Sequence, residues 1–125
     1  MNEGVASGEV SYDGATIWAR VDKESKMNLQ YDDNTEFLHP VSKIKSVDNS
    51  TDFAGKIRLD GLKANTKYFY KVWFSNIGNV TNSSAIIGSF RTAPDLTSSS
   101  DSTSFILGAD IGGQGFCREV NDGYL

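Results

Sequence analysis

The sequence predicts an all-β chain whose strands pack as a two-layer sandwich. Three observations carry this. Apolar residues recur with a period of two in several short runs, the spacing of side chains that alternate across a strand. Turn residues separate those runs at the intervals of a sandwich rather than of helices. No helical pattern appears before residue 115.

The elements follow in chain order. Residues 5–10 read as a first strand, with Gly8 marking a bulge. Tyr12-Asp13-Gly14 is a turn signal. Residues 15–21 form the second strand, and its facing is ambiguous. Ile17, Ala19 and Val21 share one parity; Thr16, Trp18 and Arg20 share the other. Period-two counting buries Ile17, whereas the size of Trp18 argues for its own face. A strand covered on both sides, with Arg20 reaching outward, satisfies both. Residues 27–31 alternate, with Met27, Leu29 and Tyr31 on one face. Residues 37–47 hold one or two weaker strands, and Pro40 places them at an edge because it cannot donate to a ladder.

Residues 53–59 form the next strand, with Phe53, Gly55, Ile57 and Leu59 on one face. Residues 67–74 form the clearest strand. Tyr68, Tyr70, Val72 and Phe74 share one face; Phe69, Lys71 and Trp73 take the other. After a polar hairpin loop, residues 85–91 close the domain. Seven Phe, five Tyr and two Trp supply the apolar faces for one core.

Composition then shifts. Residues 1–94 make the sandwich, and residues 95–104, rich in Ser, Thr and Asp, make a linker. Residues 105–109, Phe-Ile-Leu-Gly-Ala, are a continuous apolar run of the kind that suits a strand buried on both faces. Asp110-Ile111-Gly112-Gly113 follows as a glycine-rich turn. Residues 105–125 are therefore expected to open a second, α/β domain. An orphan strand there would pair with another chain or with a sandwich edge, so a fragment oligomer is an expected by-product.

Charge and composition exclude several functions. A net charge of −4 gains nothing from counterion release, so no nucleic acid is expected as partner. No segment reaches the roughly 18 apolar residues of a membrane span. The single Cys117 provides no disulfide framework, and a partly buried structural thiol is its expected state. Asn49-Ser50-Thr51, Asn79-Val80-Thr81 and Asn82-Ser83-Ser84 fit the glycosylation pattern and point weakly to an extracytoplasmic location.

Leu62-Lys63-Ala64-Asn65-Thr66-Lys67-Tyr68 resembles the Leu-x-Pro-x-Thr-x-Tyr segment of fibronectin type III domains, with Ala64 in the proline position. The fold expected is thus an immunoglobulin-like, fibronectin III-like β-sandwich. Leu62, Tyr68 and Trp18 are assigned structural roles, with Tyr68 as the corner tyrosine whose hydroxyl meets nearby backbone.

A wider resemblance covers essentially the whole chain. Val5-Ala6-Ser7-Gly8, then Trp18-Ala19-Arg20, Thr66-Lys67-Tyr68-Phe69-Tyr70 and Gly88-Ser89-Phe90-Arg91-Thr92-Ala93-Pro94 occur in this order. The set resembles the N-terminal part of alkaline phosphatase D-type proteins, which are related to purple acid phosphatases. That resemblance implies that the next element is the first strand of a metallophosphoesterase domain. Asp110-Ile111-Gly112 matches the Asp-x-Gly that opens the purple acid type's metal motifs, so Asp110 is implied as a metal ligand of the intact enzyme. On local features alone, an aspartate before glycine is more often a turn residue. Many alkaline phosphatase D proteins carry cysteine at that place, which leaves the metal's identity open among Fe, Zn, Mn and Ca.

Arg118 is a candidate phosphate contact, balanced against a solvated charge at a helix start. His39 beside Pro40 reads as a surface loop residue. A two-metal site needs several carboxylate and His ligands, so no cofactor and no catalytic residue are assigned to the 125 residues themselves, which are expected to be inactive alone. The resemblance implies a non-catalytic N-terminal domain of a secreted, periplasmic or cell-surface metal-dependent phosphatase or phosphodiesterase. Its partners would be its own catalytic domain and a phosphate ester. Exposed Phe69 and Trp73 would cover that domain contact or present a carbohydrate face. The alternative is a free-standing extracellular adhesion or carbohydrate-binding module.

Overall fold

A computed structural model describes residues 4–78, 82–97 and 104–109. Seven strands make two antiparallel sheets. They are β1 (Val5–Gly8), β2 (Ala15–Arg20), β3 (Ser25–Asp32), β4 (Val41–Val47), β5 (Ala54–Leu59), β6 (Lys67–Asn76) and β7 (Ile86–Arg91). One sheet has the order β1-β2-β5 and the other β4-β3-β6-β7. A 3-10 turn, Asn49–Thr51, joins β4 to β5.

The inner faces follow the period-two pattern. Ala15, Ile17 and Ala19 of β2, Ile57 and Leu59 of β5, Met27 and Leu29 of β3, and Tyr68 through Phe74 at alternate positions of β6 are all buried. Each fully buried Leu or Ile contributes about 1.5–3 kcal/mol of transfer free energy. The facing of β2 is resolved in favour of Ile17. Trp18 lies on the outer face, half-buried and opposite Ala6 of β1 in register, and no second layer among the described residues covers it.

The strand bounds differ in detail from those expected. β1 ends at Gly8, because Glu9 turns into the left-handed region at φ 49° and breaks the extended run. Residues 37–47 hold one strand, since Phe37 sits in a loop at φ 51°. Phe53, at φ 56°, ends the turn that precedes β5 and is only partly buried against the core. Residues 104–109 form no strand; Phe105, Ile106 and Leu107 are exposed. A strand buried on both faces needs a ladder partner and two covering layers, and the described residues supply neither to this run.

Strands β4 and β5 are edges of opposite sheets and lie side by side. Lys43 and Lys45 stand opposite Leu29 and Met27, on the inward parity of β4. Their ammonium groups reach across to β5, Lys43 Nζ donating to the Arg58 carbonyl at 3.1 Å and Lys45 Nζ to the Lys56 carbonyl at 3.0 Å. Inward-pointing lysines of this kind occupy an edge's free acceptors and penalise edge-to-edge pairing. The double variant Lys43→Ile, Lys45→Ile is expected to self-associate at high protein concentration. Light scattering after size exclusion reads this, and a variant that stays monomeric removes the guarding role.

Candidate functional site

The best-organised polar region lies at the end of the sandwich where β6 begins and β7 finishes. Leu62 is buried there and anchors the connection between β5 and β6. The backbone turns through Asn65 at φ 46°, a conformation asparagine tolerates. The Tyr68 hydroxyl accepts a hydrogen bond from the Lys63 N–H at 3.0 Å. Thr92, only 1% exposed, holds the same connection from the other side. Its hydroxyl donates to the Lys63 carbonyl at 2.6 Å and accepts from the Thr66 N–H at 2.9 Å. Arg91 Nη1 donates to the Asn65 carbonyl at 3.1 Å. The Phe90 ring stacks on Tyr68 with centroids 5.7 Å apart.

An open cleft of about 430 Å³ adjoins this end, lined among others by Tyr31, Asp33, His39, Lys63 and Tyr68. Asp33 and Lys63 pair across it at 2.9 Å. The hydrogen bond from Lys63, and then its charge, hold the Asp33 carboxyl below the ordinary carboxylate range; the same bond raises Lys63. Both side chains are exposed, so the pair adds little stability. Asp32 is buried and accepts from the His39 backbone N–H at 2.8 Å, while His39 itself is exposed. Among the described residues, no three His, Cys, Asp or Glu side chains gather where they would hold a metal ion. The cleft places no nucleophile beside a general base.

Tyr31 carries a pH dependence. Burial raises its hydroxyl above the ordinary tyrosine value, with the neighbouring Tyr68 and Asp60 adding to the effect. Below about pH 10 the phenol is neutral in both folded and unfolded chains, and its contribution to stability is intact. Above that pH the unfolded chain sheds the proton while the folded one retains it, so stability falls as pH rises. Tyr31→Phe is expected to flatten this alkaline loss. Urea midpoints from pH 8 to pH 11 read it, and parallel curves for the two proteins rule it out.

The outer face of the four-stranded sheet carries a second concentration of aromatic side chains. Phe69 and Trp73 on β6 are half-buried there. Lys71 lies 4.7 Å from the centre of the Phe37 ring, and Lys67 lies 5.4 Å from that of Phe69. Ile44 and Trp73 stand in register on either side of Asn28, two strands apart; Ile44 is 66% exposed, as is Ile87 on β7.

Of the residues singled out by sequence, Tyr68 and Leu62 meet at the sandwich end, and Trp18 sits apart on the outer face of the three-stranded sheet. Asp110, Cys117 and Arg118 lie outside the described residues. Thr92 was not singled out for its own chemistry, although its place in the Gly-x-Phe-Arg-Thr-Ala-Pro segment marked it.

A family model described as PhoD-like phosphatase, N-terminal domain, matches residues 1–94. A solved structure of PhoD is similar at 20% identity and a TM-score of 0.62, covering 74% of this chain and 19% of that one. This chain thus spans about a fifth of the PhoD chain's length. The fn3 domain of the human collagen alpha-1(XX) chain is similar at 18% identity and a TM-score of 0.58, covering 84% of this chain and 92% of that one. A computationally redesigned β-sandwich protein gives 11% identity and a TM-score of 0.59, covering 73% and 92%. At these identities the structural likenesses establish the fibronectin III-like sandwich. No curated protein matches the sequence.

Proposed function

The chain belongs to the family of PhoD-like phosphatase N-terminal domains, and from that premise we propose that its sandwich is the non-catalytic companion domain of a secreted, metal-dependent phosphatase or phosphodiesterase. One observation carries the reading. The motif residues that mark the family resemblance are taken up in holding the sandwich: Tyr68 and Thr92 bind the connection before β6, Phe90 stacks on Tyr68, and Arg91 caps Asn65. These four side chains serve the fold and not a substrate.

Metal ions belong to the proposed activity of the whole enzyme. The described residues do not fit a metal pair, so no catalytic step is assigned to them. The aromatic outer face around Phe69 and Trp73 is the surface we assign to contact with a catalytic domain. Secretion is supported, weakly, by the exposure of Asn49 and Asn82, two of the acceptor asparagines. A free-standing adhesion module is the second reading, favoured by the near-complete coverage of the collagen fn3 domain.

The test has two arms. Reading the gene past Leu125 is expected to reveal Gly-Asp-x-x-Tyr, Gly-Asn-His and Gly-His-x-His segments; their absence favours the adhesion module. The 125-residue protein, incubated with Fe, Zn, Mn or Ca, is expected to leave nitrophenyl phosphate mono- and diesters intact. Turnover by this purified protein ends the non-catalytic assignment.

A further inference from the structure

The outer face of the three-stranded sheet carries a feature that the phosphatase reading does not use. Trp18 is flanked in register by Ala6 on β1 and Lys56 on β5. On the β1 side the neighbours are small: Ala6 opposite Trp18 and Gly8 opposite Thr16. A Cβ added at Gly8 would meet nothing within 4 Å. Among the described residues, one flank of the indole is therefore left uncovered. A shallow hollow of about 240 Å³ results, with Trp18, Lys56, Thr16 and Glu9 around the small residues of β1.

The charges around this hollow are nearly all spoken for. Arg20 pairs with Asp52 at 3.1 Å, and Arg58 with Asp60 at 3.1 Å. The Thr16 hydroxyl donates to Glu9 Oε2 at 2.6 Å. Lys56 is exposed, and its ammonium has no hydrogen-bond or ion-pair partner among the described residues. The hollow thus offers an aromatic surface, one unpartnered cation on one flank, and an exposed carboxylate near the other end.

We infer that this hollow is a glycan platform for a uronate-bearing polysaccharide. The C–H face of a pyranose ring packs on the Trp18 indole, where the ring's negative π-face meets weakly positive hydrogens. The uronate carboxylate pairs with the Lys56 ammonium, and a ring hydroxyl donates to Glu9. Charge complementarity selects an acidic sugar over a neutral one, because only the acid pairs the lone cation. Nucleic acid is the poorer fit. Its affinity comes from several phosphate contacts at once, and the one unpartnered lysine at this hollow, on a chain of net charge −4, does not supply them.

Affinity electrophoresis through gels containing polygalacturonate, neutral galactan or single-stranded DNA tests this. The protein is expected to be retarded by polygalacturonate alone. Trp18→Ala is expected to weaken retardation about tenfold or more, and Lys56→Gln about tenfold, while Trp73→Ala leaves it unchanged. Melting curves check that each variant is folded. If Trp18→Ala unfolds, Lys56→Glu on the exposed surface decides instead, with retardation expected to vanish. Absence of retardation, equal retardation by galactan, retardation by DNA, or binding that survives both Lys56 variants overturns the inference.

Discussion

Tyr68→Ala is expected to cost about 3–5 kcal/mol, the range for removing a large buried ring. For a domain stabilised by about 5–15 kcal/mol this approaches or exceeds the margin for folding. The ring is 7% exposed, stacks on Phe90 at 5.7 Å and meets the edge of Tyr31 at 6.3 Å. Its hydroxyl satisfies the Lys63 N–H. Tyr68→Phe separates the two contributions. It keeps the ring contacts and orphans one part-buried donor, at an expected cost of about 1–2 kcal/mol. Urea denaturation of the three proteins measures both steps. A Tyr68→Ala cost below about 2 kcal/mol would mean that the neighbouring rings close the gap, and the corner would then not be the keystone of this end.

The same contacts set where the chain leaves the sandwich. Thr92 is fixed to Lys63 and Thr66, the Ala93 N–H donates to the Ser11 carbonyl at 3.0 Å, and the Asn65 N–H donates to the Ala93 carbonyl at 2.9 Å. Residues 11, 65 and 93 are thereby tied together, so whatever follows residue 94 departs from a defined point beside the Tyr31–Lys63 cleft. Loosening the tyrosine corner is expected to disturb this exit as well as the core.

Strands β3 and β6 were legible because each has one buried face and one half-exposed face, which leaves a clean alternation. β4 was harder to read for a physical reason. Its inward positions include Lys43 and Lys45, which serve the sheet edge and break the apolar period. Phe37 and Phe53 misled by hydrophobicity, since both occupy left-handed turn conformations that no propensity for strands anticipates. Trp18 misled by size: on a sheet flanked by Ala6 and Gly8 an indole rests on the outside with no second layer over it among the described residues. The site was legible only as a motif. Asp110 and Arg118 were read as chemical groups from residue type and neighbours and lie outside the described residues, whereas the work of Thr92 depends on partners 26 and 29 residues away in sequence. Spacing along the chain does not reveal such partners.

Gly88 is the other position with a large expected effect. It stands opposite Tyr70 in the β6–β7 register, and a Cβ built on it would overlap the Tyr70 ring. The ring in turn packs near Phe90, with centroids 6.2 Å apart. Glycine in a strand interior ordinarily weakens the strand, so replacing it should help on propensity alone. Here sterics outweigh propensity. Gly88→Val must displace a buried ring from a core packed on its other sides, and is expected to cost about 3 kcal/mol, the upper part of the overpacking range. The cause is separable by a double-mutant cycle with Tyr70→Leu, which removes the ring's outer atoms. In that background the valine is expected to cost under about 1 kcal/mol, leaving a coupling of about 2 kcal/mol between the two positions. Additive costs would show that Gly88 is required for some reason other than the ring above it, and a neutral Gly88→Val would show that the core at this point has room to move.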